Sequence, residues 1–224
     1  MTFYSPKIVL ITFSLIFCEA VAVAQNNKDN HVVSFKYDNP MGELFLTLTV
    51  IRDGENVRIL HGDEVTGRAY ERTDPPLKSV DGNFVYLSQL ESGVVETSSN
   101  STMRHEVAYC ELLDTRSGCI VARETGEFCG GFFTFDGKWE NPLYPSFNLA
   151  SEKPRAIDFV SGKLKPANTP ESSFENLLVC DPLSLNNADD YSIVIKKDIF
   201  NLDDARRKAF ELDLESQSRK RDSH

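Results

Sequence analysis

The strongest constraint on this chain is a hydrophobic period of two that starts near residue 31 and recurs between turn signals. Val33, Phe35 and Tyr37 alternate with Ser34 and Lys36. After Asn39-Pro40-Met41-Gly42, the set Leu44, Leu46, Leu48 and Val50 opposes Phe45, Thr47, Thr49 and Ile51. Such alternation puts one set of side chains on each face of a strand. Asp53-Gly54 is a hairpin turn signal, and 56–60 continues as a third strand, so the segment predicts an antiparallel meander. Residues 61–78 are polar, end in Thr73-Asp74-Pro75-Pro76, and predict a loop. Asp81-Gly82 then turns into a strand at 83–89, and further strands are expected at 105–113, 119–123, 127–135, 156–160, 174–180 and 191–200. Many short strands with turns between them predict an all-β fold, an antiparallel β-sandwich or an open barrel.

The expected organisation is one domain over 25–200, interrupted by an irregular excursion at 136–173 that Pro142, Pro145, Pro154, Pro166 and Pro170 punctuate. Gly130-Gly131 reads as a sheet bend, with a bulge or a close backbone approach as the alternative. The segment 201–224 is expected to be a short C-terminal helix and tail. Asn201 would cap 202–215, with Leu202, Ala205, Ala209 and Leu212 along one face and Asp203 and Asp204 in the first turn.

Lys7 precedes the apolar run 8–18, which has the length of a signal-peptide core and is too short to span a bilayer. Ala22 and Ala24 complete an A-x-A cleavage pattern, so 1–24 is expected to be a signal peptide. Cys18 leaves with it, and Cys110, Cys119, Cys129 and Cys180 remain, an even set that in a secretory protein predicts two disulfides. Three connectivities are open. The turn signal 123–126 favours Cys119 with Cys129 across a hairpin, which leaves Cys110 with Cys180 to close a loop of about 70 residues. Asn100-Ser101-Thr102 is the usable glycosylation sequon, in a polar stretch that reads as an exposed loop.

A net charge of −10 excludes the basic surface that nucleic-acid binding needs, so nucleic acid is not an expected partner. No later run reaches the roughly 18 apolar residues of a membrane span, so no direct span is expected. His31, His61, His105 and His224 lie too far apart in sequence for a histidine metal motif, and the cysteines lack zinc-site spacing, so neither metal nor cofactor is expected. No nucleophile elbow or phosphate-cradling glycine pattern occurs, and no catalytic residue is assigned. Glu111, Asp114 and Glu124 are the carboxylates that would serve a glycosidase if two of them met across a cleft. Trp139, Tyr144 and Phe147 are read as closing the end of the core, with an aromatic binding patch as the alternative.

A strand opening on Val33-Ser34-Phe35, then Asp81-Gly82-Asn83-Phe84-Val85-Tyr86, is similar to the lumenal domain of subunit ten of the endoplasmic reticulum membrane protein complex. Val107-Ala108-Tyr109-Cys110-Glu111-Leu112-Leu113 resembles that family's cysteine segment, and 125–132 resembles the strand pair that follows it. The likeness covers about half of the chain. Departures are the two extra cysteines, a longer Pro-rich excursion before Phe174 and no carboxy-terminal membrane span. The resemblance implies a lumenal β-sandwich without catalytic residues that docks on other subunits of a membrane-embedded insertase. The alternative expectation is a secreted, disulfide-bonded binding module for a glycan or a protein. Arg221-Asp222-Ser223-His224 is not a KDEL-type address, so residence in the endoplasmic reticulum would rest on partners.

Overall fold

The computed structural model describes residues 31–96, 101–146, 153–167 and 169–221. The expected signal peptide 1–24, Asn100 and Phe147 lie outside them. The meander forms as the period of two requires: β1 (Val33–Met41), β2 (Leu44–Arg52) and β3 (Glu55–His61) are antiparallel neighbours. Asp53 and Gly54 both take positive φ between β2 and β3, the backbone that a tight hairpin turn matches to the twist of its strands.

β2 shares its second edge. Thr47 to Arg52 pair with β3, whereas Leu44 and Phe45 pair with β4 (Ala69–Glu71). From β4 the sheet continues through β5 (Phe84–Glu96) and β6 (Thr102–Asp114) to the edge strand β7 (Cys119–Thr125), giving seven antiparallel strands. Its core joins Val33, Leu48, Val50 and Leu60 from one half to Val85, Leu87, Leu113 and Ile120 from the other. The loop expected at 61–78 thus contains a strand. Tyr70 carries it, fully buried in that core.

The strand expected at 127–135 does not form. Gly126–Cys129 is a 3₁₀ turn, and only β8 (Phe132–Phe133) remains, paired with β9 (Trp139–Glu140) as a separate ribbon. Gly131 is a close approach rather than a sheet bend: a Cβ there would sit 2.5 Å from the Trp139 indole nitrogen and 2.6 Å from the Glu140 carbonyl oxygen.

The larger correction is helical. The strands expected at 156–160, 174–180 and 191–200 are α1 (Ala156–Val160), α2 (Phe174–Cys180) and α3 (Ala188–Lys196), so the chain is not all-β. Short apolar runs fit either period. Here the helical one wins because Ala188, Tyr191, Val194 and Ile195 bury a single stripe, and Asp189 and Asp190 sit in the first turn with Lys196 in the last. Ser173 caps α2 by accepting from the Asn176 N–H at 3.1 Å.

The C-terminal helix α4 (Asp204–Arg221) is longer than expected, and its cap is Asp203, whose carboxylate accepts from the Arg206 N–H at 2.8 Å. Asn201 takes a positive φ two residues upstream. The expected stripe is also displaced: Leu212 is 57% exposed, whereas Phe210 is buried and Leu214 packs beside it. Phe159, Phe174, Leu177, Tyr191 and Phe210 give the helices a core of their own.

The helices meet the sheet at β7. The Asn176 side-chain amide accepts from the Ile120 N–H at 3.0 Å and donates to the Ile120 carbonyl at 2.9 Å. It stands where a neighbouring strand would stand. Cys119 and Cys180 are bonded beside it, with Cα atoms 4.8 Å apart. Lys153, ahead of α1, meets the buried Asp114 carboxylate at 2.6 Å on the β6–β7 turn. Replacing Asn176 with Ala strands two backbone groups in the interior, and each costs about 1–3 kcal/mol. Urea unfolding of Asn176→Ala is expected to show a loss of about 2–4 kcal/mol, where an exposed asparagine would lose under about 0.5.

Candidate functional site

Both disulfides form, but with a different connectivity from the one favoured by the turn signal. Cys110 pairs with Cys129 at a Cα separation of 5.6 Å, and Cys119 pairs with Cys180. The reason is local. β7 runs on through the expected turn to Thr125, and the 3₁₀ turn then folds Cys129 back against the Glu124 carbonyl, directly across from Cys110 in the β6–β7 register. Cys119, at the start of the edge strand, is left facing α2. Two disulfides place the chain in an oxidising compartment, extracellular or lumenal. Among the described residues no helix is long and apolar enough to cross a membrane.

The Cys110–Cys129 bond anchors the base of a surface ledge. Trp139 is buried behind it, stacked on Tyr86 at 5.2 Å and edge-on to Phe133 at 5.1 Å. Asn141, also buried, donates to the Glu127 carbonyl at 2.8 Å and accepts from the Leu143 N–H at 2.9 Å. These anchors leave apolar side chains pointing outward: Phe132 is 48% exposed, Leu143 68% and Phe135 94%. Phe128 and Tyr144 stack at 4.7 Å on the same rim, and Phe132, Pro142 and Pro145 line a cavity of about 320 Å³. Trp139 therefore closes the core as expected, while Tyr144 belongs to the surface patch. The only sequence signal for this division is the crowding of aromatics around Pro142 and Pro145.

The three carboxylates do not converge. Glu111 points to the core face of the sheet with Leu113, whereas Glu124 stands opposite Cys110 on the other face. Asp114 lies at the β6–β7 turn, and although burial pushes its carboxyl up, Arg116 and Lys153 hold it below the usual range. No glycosidase pair is built from these residues. Among the described residues no group of three His, Cys, Asp or Glu side chains is placed to hold a metal ion.

Glu111 belongs instead to a buried polar row. Arg123 lies 3.5 Å from it, 2.7 Å from Glu91 and 3.8 Å from Glu171, donates to the Gln89 side-chain oxygen at 3.0 Å, and stacks over Tyr109 at 3.5 Å. Neither Glu111 oxygen has a hydrogen-bond partner among the described residues. Burial pushes its carboxyl up to about 8 against the pull of Arg123, with Glu171 adding to the rise. Neutral Glu111 is thus the folded form at pH 7. The native state keeps a proton there that the unfolded chain releases near its ordinary pKa, so this group makes stability fall as pH rises between about 4.5 and about 8, by up to about 1.4 kcal/mol per pH unit. Glu111→Gln is expected to gain stability over the parent at pH 8 and to match it near pH 4.5, read from denaturation midpoints across that range. A constant difference over the range would contradict the assignment.

No family of known proteins, no curated protein and no solved structure matches this chain.

Proposed function

We propose that this chain is a non-catalytic subunit of the endoplasmic reticulum lumen that docks on a membrane-embedded complex, of the kind that inserts proteins into the membrane. The observation that carries the docking role is the ledge of Phe128, Phe132, Phe135 and Leu143, outward-facing apolar groups on a support made rigid by a disulfide and a buried tryptophan. Exposed apolar surface fixed in place is what protein partners use. The partner class comes from the resemblance at 33–35, 81–86, 107–113 and 125–132, and the signal peptide at 1–24 is part of the same proposal. The shared core of the two sheet halves supports reading them as the layers of a sandwich.

Purification of the tagged chain from detergent-solubilised membranes is the test. The parent is expected to bring down membrane subunits, and the double variant Phe132→Asp, Phe135→Asp to lose them with its melting temperature unchanged. Free parent protein in the culture medium, with no membrane complex attached, would support the secreted binding module instead.

A further inference from the structure

β5 and β6 pair along their whole length and together outreach the strands on either side of them. β7 pairs with β6 only from Tyr109 to Asp114, and Gly126, at a φ of 61°, turns the chain away after Thr125. Among the described residues no strand pairs with Thr102 to Ala108 on that side. The Thr125 hydroxyl donates to the Ala108 carbonyl at 2.7 Å, so the even-numbered residues of β6 turn their backbone groups toward the β7 side. Strand backbone groups alternate sides residue by residue, which carries the N–H and C=O of Thr102, Arg104 and Glu106 to the open edge. Such an edge is a template for another strand, and sheets commonly blunt it with proline, lysine or a bulge. Residues 102–108 contain neither proline nor lysine, and their pairing with β5 runs without a bulge. The charges they do carry, Arg104 and Glu106, are of opposite sign.

We propose that this edge pairs with the same edge of a second copy of the chain, antiparallel about a two-fold axis between the two His105 residues. Thr102 then stands opposite Ala108 of the copy, Met103 opposite Val107 and Arg104 opposite Glu106. Two independent features select this register. It uses the whole open segment, from the first residue of β6 to the point where β7 takes over at Tyr109, so the copy's strand begins where β7 ends. It also sets an arginine against a glutamate on both sides of the axis. Sliding to the next register that keeps the outward backbone groups paired sets Arg104 against Arg104 in one direction and Glu106 against Glu106 in the other, and like charges directly opposite are destabilising. Met103, 54% exposed, and Val107 fall at a pair without backbone hydrogen bonds, where side chains approach most closely. The contact is isologous and closes on two copies. It uses neither the ledge nor its partner.

Sedimentation velocity of the disulfide-bonded full chain over a range of concentrations, with any sugar at Asn100 removed enzymatically, tests the pairing. A monomer–dimer equilibrium with a dissociation constant of about 10–100 μM is expected, the affinity of a small interface. Arg104→Glu and Glu106→Arg each set like charges opposite one another on both sides of the axis and are expected to weaken the dimer at least about tenfold. Arg104→Glu combined with Glu106→Arg exchanges the two charges, keeps them complementary and is expected to restore it. These positions lie beyond the residues that pair with β4 and β7, so each variant is expected to melt at the temperature of the parent monomer. A parent that stays monomeric up to about 1 mM, a dimer that neither single reversal weakens, or a double variant that fails to recover would overturn the proposal.

Discussion

Two hydrogen bonds from one side-chain amide hold the seam between sheet and helices. β7 is an edge strand, and an open edge offers unpaired N–H and C=O groups to any passing strand. Asn176 occupies that edge at Ile120, and its Nδ2 also donates to the Glu171 carbonyl at 2.9 Å. The same amide therefore positions the loop that carries Glu171 over Arg123. Removing α2 from the edge would leave the Ile120 N–H and C=O unpaired and free the segment that carries Glu171. Asp181, just past α2, extends the seam inward by accepting from the Ala156 N–H at 2.9 Å and the Asn187 amide at 2.7 Å.

The charged row shows which electrostatic effect prevails in that interior. Arg123 already satisfies Glu91 and Gln89, so its remaining pull on Glu111 acts from 3.5 Å without a formed hydrogen bond. Desolvating a carboxylate costs several kcal/mol, and a guanidinium shared among three acids does not return that much to each. Glu111 consequently resolves its burial by keeping its proton, and the row holds together around one cation and fewer anions than the residue types suggest.

The meander was legible because one buried face imposes a period of two, and the Asp53-Gly54 and Asp81-Gly82 signals fall where turns form. The helices were not. Phe174 to Cys180 and Tyr191 to Ile195 are rich in apolar and β-branched residues over a span too short to separate the two periods, and what decides them is packing on Phe159 and Phe210, far away in sequence. The four cysteines were legible as disulfide partners, while the pairing turned on whether β7 stopped at residue 123 or ran to 125. The charged row had no local signature at all, since Glu91, Glu111, Arg123 and Glu171 become neighbours only when the strands pair and the segment before α2 closes on the sheet.

The two disulfides interleave along the chain: 110, 119, 129, 180 pair first with third and second with fourth. During synthesis from the N-terminus, Cys129 emerges long before Cys180, so Cys119 must wait as a free thiol beside a finished Cys110–Cys129 bond until α2 arrives. For that interval the thiol can attack its neighbour and exchange into a wrong pair. The native pairing is therefore completed only when the helical segment arrives and brings Cys180 to Cys119.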